Sequence, residues 1–212
     1  MTTKLFGNST IRSLAAPRLG IMAACLLLAG TVPSTHAGKS GGGTVLPPQS
    51  HPFGKSLTEW SEEHWRWVYS IPVTGHPAFQ DGVIDLSQDQ PSGPVWFLIG
   101  SFSATPVAGG FSASANRTAT IPHGKTLFFP IIDAEASTAE GNGSTESDLL
   151  AAARGFLDPV SNLACEIDGE SVPNLQRYRF ETPIFTWGPL PADNLLGLPE
   201  GTVTDRYRQG IS

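Results

Sequence analysis

The chain has 212 residues, with 19 Asp and Glu against 13 Lys and Arg and a formal charge of −6. Such an acidic balance is repelled by nucleic acid and by anionic membranes, and no basic cluster offsets it, so a nucleic-acid partner is excluded. Two cysteines, one of them in an apolar N-terminal run, leave no material for a disulfide framework or a multi-cysteine zinc site.

Residues 1–37 read as a secretory signal. Lys4, Arg12 and Arg18 come first with no acid, "IMAACLLLAG" supplies a short apolar core, and "TVPSTHA" ends on the small residue Ala37. That core is about half of the roughly 20 apolar residues a spanning helix needs. Cys25 precedes "LLLAG" rather than following the core, which argues against a lipidated cysteine. Cleavage near Ala37 predicts a secreted or periplasmic protein, with no transmembrane segment in the mature chain. The leader carries three of the thirteen basic residues and none of the acids, so the mature charge is ten minus nineteen, −9.

Residues 38–54, "GKSGGGTVLPPQSHPFG", read as a flexible linker, because glycine has no side chain to bury and Pro47-Pro48 blocks helix and ladder alike. A single domain is expected over 55–212, long enough to bury about 70% of its unfolded surface.

"SLTEWSEEHWRWVYSIP" is the clearest helix. Ser56 caps it, Glu59 completes a capping box, and Pro72 ends it. Trp60, His64, Trp67 and Ile71 fall on one face, with Trp65, Val68 and Tyr69 beside them. Each Trp buries about 150–250 Å², a gross gain of about 4–6 kcal/mol, so the helix is expected to plug a core. The sharper alternative is a sugar-stacking platform built on Trp60, His64 and Trp67.

Strand texture follows. "GPVWFLIGSF" is apolar at both parities, as in a strand buried on both faces. "SATPVAGGFSASAN" reads as a loop. "RTATIPHGKTLFFPIID" reads as strand, turn, strand, with Pro130 at an edge or bend. "TESDLLAAARGFLD" is a second short helix capped by Thr145. "LACEIDGESV" carries an Asp-Gly hairpin signal, and places Cys165 on the apolar side as a small buried hydrophobe. "RYRFE" alternates with Tyr178 and Phe180 inward. Many short strands with Pro and Gly punctuation predict a mostly β fold: a single-domain antiparallel β-sandwich with a Trp-rich N-terminal helix and one further short helix.

Three Gly-Lys-Ser/Thr triplets lack the upstream glycine of a phosphate loop, and neither Gly-x-Ser-x-Gly nor His-Glu-x-x-His occurs. His51, His76 and His123 fall in linker, loop and turn. Arg117 stands only as the middle of an Asn-Arg-Thr glycosylation triplet.

The chemistry-bearing pair is Asp133 and Glu135, which close the run "LFFPIIDAE" and share one strand face. Buried and unpartnered they would be very costly. The plain reading is that the strand surfaces here into "STAEGNGSTES". Two alternatives use the same residues: a Ca²⁺ site, since carboxylates two apart on a strand can share a hard cation, or the acid pair of a carbohydrate-acting hydrolase.

The stretches "GKSLTEWSEEHWRWVYSIP", with its W-x(4)-W-x-W spacing, "GPVWFLIGSF", "IPHGKTLFFPIIDAEAS" and "NLACEIDGESVPNLQRYRFETPIFTW" together resemble a group of uncharacterised exported bacterial proteins. The resemblance implies export and a mostly β domain, and no activity. Similar chains carry cysteines where Ala119 or Ala136 stands here, and continue into further strands. The polar ending "TVTDRYRQGIS" has no apolar strand pattern, so missing C-terminal strands are expected. The reading as a whole is an exported, noncatalytic binding or envelope-associated module of unknown ligand, with a glycan or envelope component as the candidate partner.

Overall fold

The computed structural model describes residues 2–12, 44–103, 105–107 and 110–211. The expected leader core, its cleavage point at Ala37 and the start of the linker lie outside them. The elements are β1 (Thr2–Arg12), α1 (Leu57–Ser70), β2 (Gly82–Ile84), β3 (Val95–Phe97), β4 (Thr105–Val107), β5 (Gly110–Thr120), β6 (Thr126–Phe128), β7 (Ile132–Ser137), α2 (Glu146–Leu157), β8 (Glu166–Ile167), β9 (Glu170–Ser171), β10 (Arg179–Glu181), β11 (Phe185–Trp187) and β12 (Thr204–Ile211). Short 3-10 turns stand at Pro52–Gly54, Pro77–Phe79 and Leu175–Tyr178.

Both helices start as their sequences dictate. Ser56 Oγ accepts the Glu59 N–H at 3.3 Å while Glu59 Oε2 accepts the Ser56 N–H at 2.7 Å. Thr145 and Asp148 make the same reciprocal box at α2. These bonds satisfy N–H groups that the first turn leaves open. Ile71, ahead of Pro72, is already extended, with φ −84° and ψ 126°.

The strands form mixed sheets. β5 is flanked by β1 on one side and by β2 and β4 on the other. β12 lies between β7 on one side and β10 and β11 on the other. β3 with β6 and β8 with β9 make two smaller pairs. Antiparallel pairing was the expectation throughout, but β2 runs parallel to β5 and β3 parallel to β6. In each of these pairs a long connection, from 84 to 117 and from 97 to 126, separates the partners, which parallel neighbours require. Val95–Gly100 is buried at both parities, as such a strand should be.

Two further expectations are corrected. The stretch read as a loop, 103–116, forms β4 and most of β5. In its Ser/Ala run Ala113 is buried, a side chain too small to give a bulky apolar signal. The C-terminal stretch read as a patternless tail is β12, the strand between β7, β10 and β11. Its register sets Arg208 opposite Glu135 and Arg206 opposite Ser137. Its partner strand β7 lies about 70 residues earlier, so no local pattern announces the pairing.

The hairpin is formed as read: Asp168 and Gly169 both take positive φ, 53° and 85°, between β8 and β9, the conformation of a two-residue turn that matches strand twist. The main core gathers α1 residues Trp60, Trp65, Trp67, Val68 and Tyr69 with Val95–Ile99, Ala119, Phe185 and Trp187. A second cluster joins Ile132, Ala134, Leu157 and Cys165, and a third joins Ala136, Leu149 and Ala153.

Candidate functional site

Residues alternate across β7. Ala134 and Ala136 lie on the face where α2 supplies Leu149, Ala153 and Leu157. Asp133 and Glu135 therefore lie on the opposite face, and there Tyr69 of α1 meets Glu135. The Tyr69 hydroxyl donates to Glu135 Oε1 at 2.9 Å. Asp133 is 0% and Glu135 8% exposed, and all six residues of β7 are buried. The expectation that the strand surfaces at these acids is overturned. Both side chains lie in the interior, with Tyr69 of α1 on Glu135, and Arg208 holds the register position across from Glu135.

Tyr69 itself is packed between two indoles. Its ring stacks on Trp65 at 5.0 Å and 17°, and on Trp187 at 5.1 Å and 19°. Stacked aromatics of this kind add to the gain from area alone. Glu135 thus meets the aromatic core through the Tyr69 phenol.

The proposed stacking platform is internal. Trp60, His64 and Trp67 are 6%, 1% and 4% exposed. Trp60 Nε1 donates to the Pro52 carbonyl at 3.0 Å, and Trp67 Nε1 to the Gln88 carbonyl at 2.8 Å. His64 Nε2 lies 2.8 Å from the Leu98 carbonyl, with its ring against Trp67, Phe97 and Phe128. A sugar-binding indole needs an open face; these rings spend theirs on the fold. Among the described residues, no group of three or more His, Cys, Asp and Glu side chains converges as a metal centre would, and no helix is long and apolar enough to cross a membrane.

Two buried polar residues, neither assigned a role from the sequence, organise the segment that follows α1. Arg117 of β5 is 2% exposed and donates to four backbone carbonyls: Ala78 at 2.8 Å, Gln80 at 2.6 Å, Ile99 at 3.1 Å and Gly100 at 2.7 Å. Burial pushes its pKa down, with Asp81 acting the other way. Its planar fork of donors suits several acceptors at once. A signal was present: Arg117 shares strand parity with Ala113, Ala115 and Ala119, and small neighbours leave room for a guanidinium. His76, read as a loop residue, is 1% exposed, and burial depresses its pKa. Cys165 is buried and its thiol pKa is raised by that burial, the opposite of what a nucleophile needs.

No family model, no curated protein and no solved structure matches the chain.

Proposed function

We propose that the chain is an exported, noncatalytic module that binds a glycan or another envelope component. Its two larger sheets serve as the layers of a sandwich around the aromatic helix α1. The shared core supports that arrangement, since Ala119 of β5 and Phe185 and Trp187 of β11 pack in one cluster with α1. The observation that carries the noncatalytic reading is the burial of Asp133 and of Glu135, the latter accepting from Tyr69. A glycosidase pair must flank a groove wide enough for a sugar, and an interior pair does not. On this reading the buried acids act in the fold, with Arg208 in register with Glu135 and Gly210 with Asp133.

The test compares the mature chain with Asp133→Asn and Glu135→Gln variants confirmed as folded. Each is incubated with glycosidic substrates, and its binding to purified cell-wall polymer is measured by sedimentation. The reading expects no turnover by any of the three and the same binding by all. Turnover by the unmodified chain that a folded Glu135→Gln variant loses would establish the hydrolase instead.

A further inference from the structure

The segment 73–80 runs from the end of α1 toward β2, and Ala78 within it is gripped from both sides. The Ala78 N–H donates to His76 Nδ1 at 3.1 Å, and His76 Nε2 lies 3.1 Å from the Val68 carbonyl of α1. With Nδ1 accepting, the ring's one proton sits on Nε2 and goes to Val68. On the other side the Ala78 carbonyl accepts from Arg117 Nη2 at 2.8 Å and from the Phe102 N–H at 3.1 Å. The His76 ring packs against Phe79 and Phe102, at 5.9 and 6.2 Å between centroids.

We propose that His76, Ala78 and Arg117 form an acid-operated clamp that holds residues 73–80 on the body and releases them when the imidazole takes a second proton. Only the neutral Nε2–H tautomer fits. A proton on Nδ1 would aim an N–H at the Ala78 N–H, removing its acceptor. It would also place a second buried cation beside Arg117, which already bonds the same residue. An unsatisfied buried donor and an unpaired charge are both costly, and both are relieved if the segment lifts away.

The charged groups around the clamp are few and placed to let His76 decide. Arg117 faces it from β5, with the charge of Asp81 bearing on Arg117. From the turn after β11, Asp193 holds the start of the segment, its carboxylate accepting the Thr74 N–H at 2.8 Å and its carbonyl the Val73 N–H at 2.8 Å. Those Thr74 bonds keep the Asp193 carboxyl below its ordinary range, so it stays ionised while His76 titrates. Helix α1 contributes the Val68 carbonyl and the 98–102 strand end contributes the Phe102 ring.

The sign follows from the direction of the shift. Burial lowers the His76 pKa below its ordinary 6.5; the Val68 bond opposes this and Arg117 adds to it. The clamp is at full strength above 6.5, and it weakens as pH falls from there toward the depressed folded value, where the opened form takes the proton first.

The test is amide hydrogen exchange of the full chain from pH 8 to pH 5, read by mass spectrometry and corrected for intrinsic exchange rates. The clamp predicts that protection of 73–80 falls below pH 6.5 by up to about tenfold per pH unit, the slope of one proton, while α2 amides hold. A His76→Gln variant, which keeps an acceptor near Ala78 but does not titrate, should lose that slope. Protection of 73–80 that is level across the range, or a slope that survives in His76→Gln, overturns the proposal. If the variant does not fold, the exchange profile of the unmodified chain decides alone.

Discussion

Tyr69 and Glu135 are 66 residues apart in sequence and 2.9 Å apart in the fold, hydroxyl to carboxylate, in the buried space between α1 and β7. This bond ties the aromatic helix to the strand that carries both candidate acids. Replacing Tyr69 by Phe keeps the stack between Trp65 and Trp187 and removes the hydroxyl. The expected loss is about 1 kcal/mol, the usual net worth of one side-chain hydrogen bond. Urea unfolding followed by tryptophan fluorescence should show a lower midpoint and an unchanged slope. An unshifted midpoint would mean that the carboxylate does not depend on this phenol.

Arg117 should be the most damaging single truncation on β5. Its four carbonyl partners lie in the turn after α1 and in the strand end at 99–100. Arg117→Ala leaves these acceptors in an interior that water does not reach, at about 3 kcal/mol or more. Arg117→Lys keeps the charge but offers a point donor in place of a fork, so it should recover only part of the loss. Denaturant midpoints of the two variants measure this directly, and equal stability of Lys and Arg would contradict the fork argument.

These two residues mark where sequence reading succeeds and where it stops. Periodicity and caps reveal α1 and α2, because Ser56 with Glu59 and Thr145 with Asp148 are local signals. Asp168-Gly169 reveals its hairpin for the same reason. What fails is everything that depends on a distant partner. β12 looks patternless because its Arg206 and Arg208 alternate opposite Ser137 and Glu135, some 70 residues earlier. Asp133 and Glu135 look like a strand reaching water because nothing local announces that they are buried or that Tyr69 reaches Glu135. β5 hides in a run of Ser and Ala, since a strand that buries small side chains has no hydrophobic signature.

Gly188, next to Trp187 of the stack, has no room for a side chain. A Cβ there would stand 2.3 Å from the Thr202 carbonyl oxygen, and its φ of +100° is one that other residues avoid. Gly188→Ala should cost about 2 kcal/mol or more, lowering Tm by about 4 °C or more in a chain of this size. Gly197 is the control: its φ is also positive, at +62°, but the space around it is open. Gly197→Ala should cost about 1 kcal/mol. Matching losses at the two positions would show that backbone strain, not the Thr202 contact, dominates.

Cys165 should behave as a packed hydrophobe. It is 9% exposed, clusters with Ile132, Ala134 and Leu157, and carries a thiol whose ionisation burial disfavours. In the native chain at pH 8, a thiol reagent such as Ellman's should react with it at least about tenfold more slowly than in denaturant. Equal rates would place the sulfur in a polar, accessible setting that the packing around it does not provide.

The central claim is that Asp133 and Glu135 lie in the interior, with the Tyr69 hydroxyl of α1 on Glu135. Carbodiimide coupling of carboxyl groups to glycine ethyl ester in the native chain, read by peptide mass spectrometry, measures their accessibility most directly. Exposed carboxylates such as Asp85, Glu146 and Glu170 should be modified readily, while Asp133 and Glu135 remain unmodified until the chain is unfolded. Modification of Asp133 and Glu135 in the native chain at the rate of the exposed acids would contradict the account and restore the pair as a reachable catalytic or cation site.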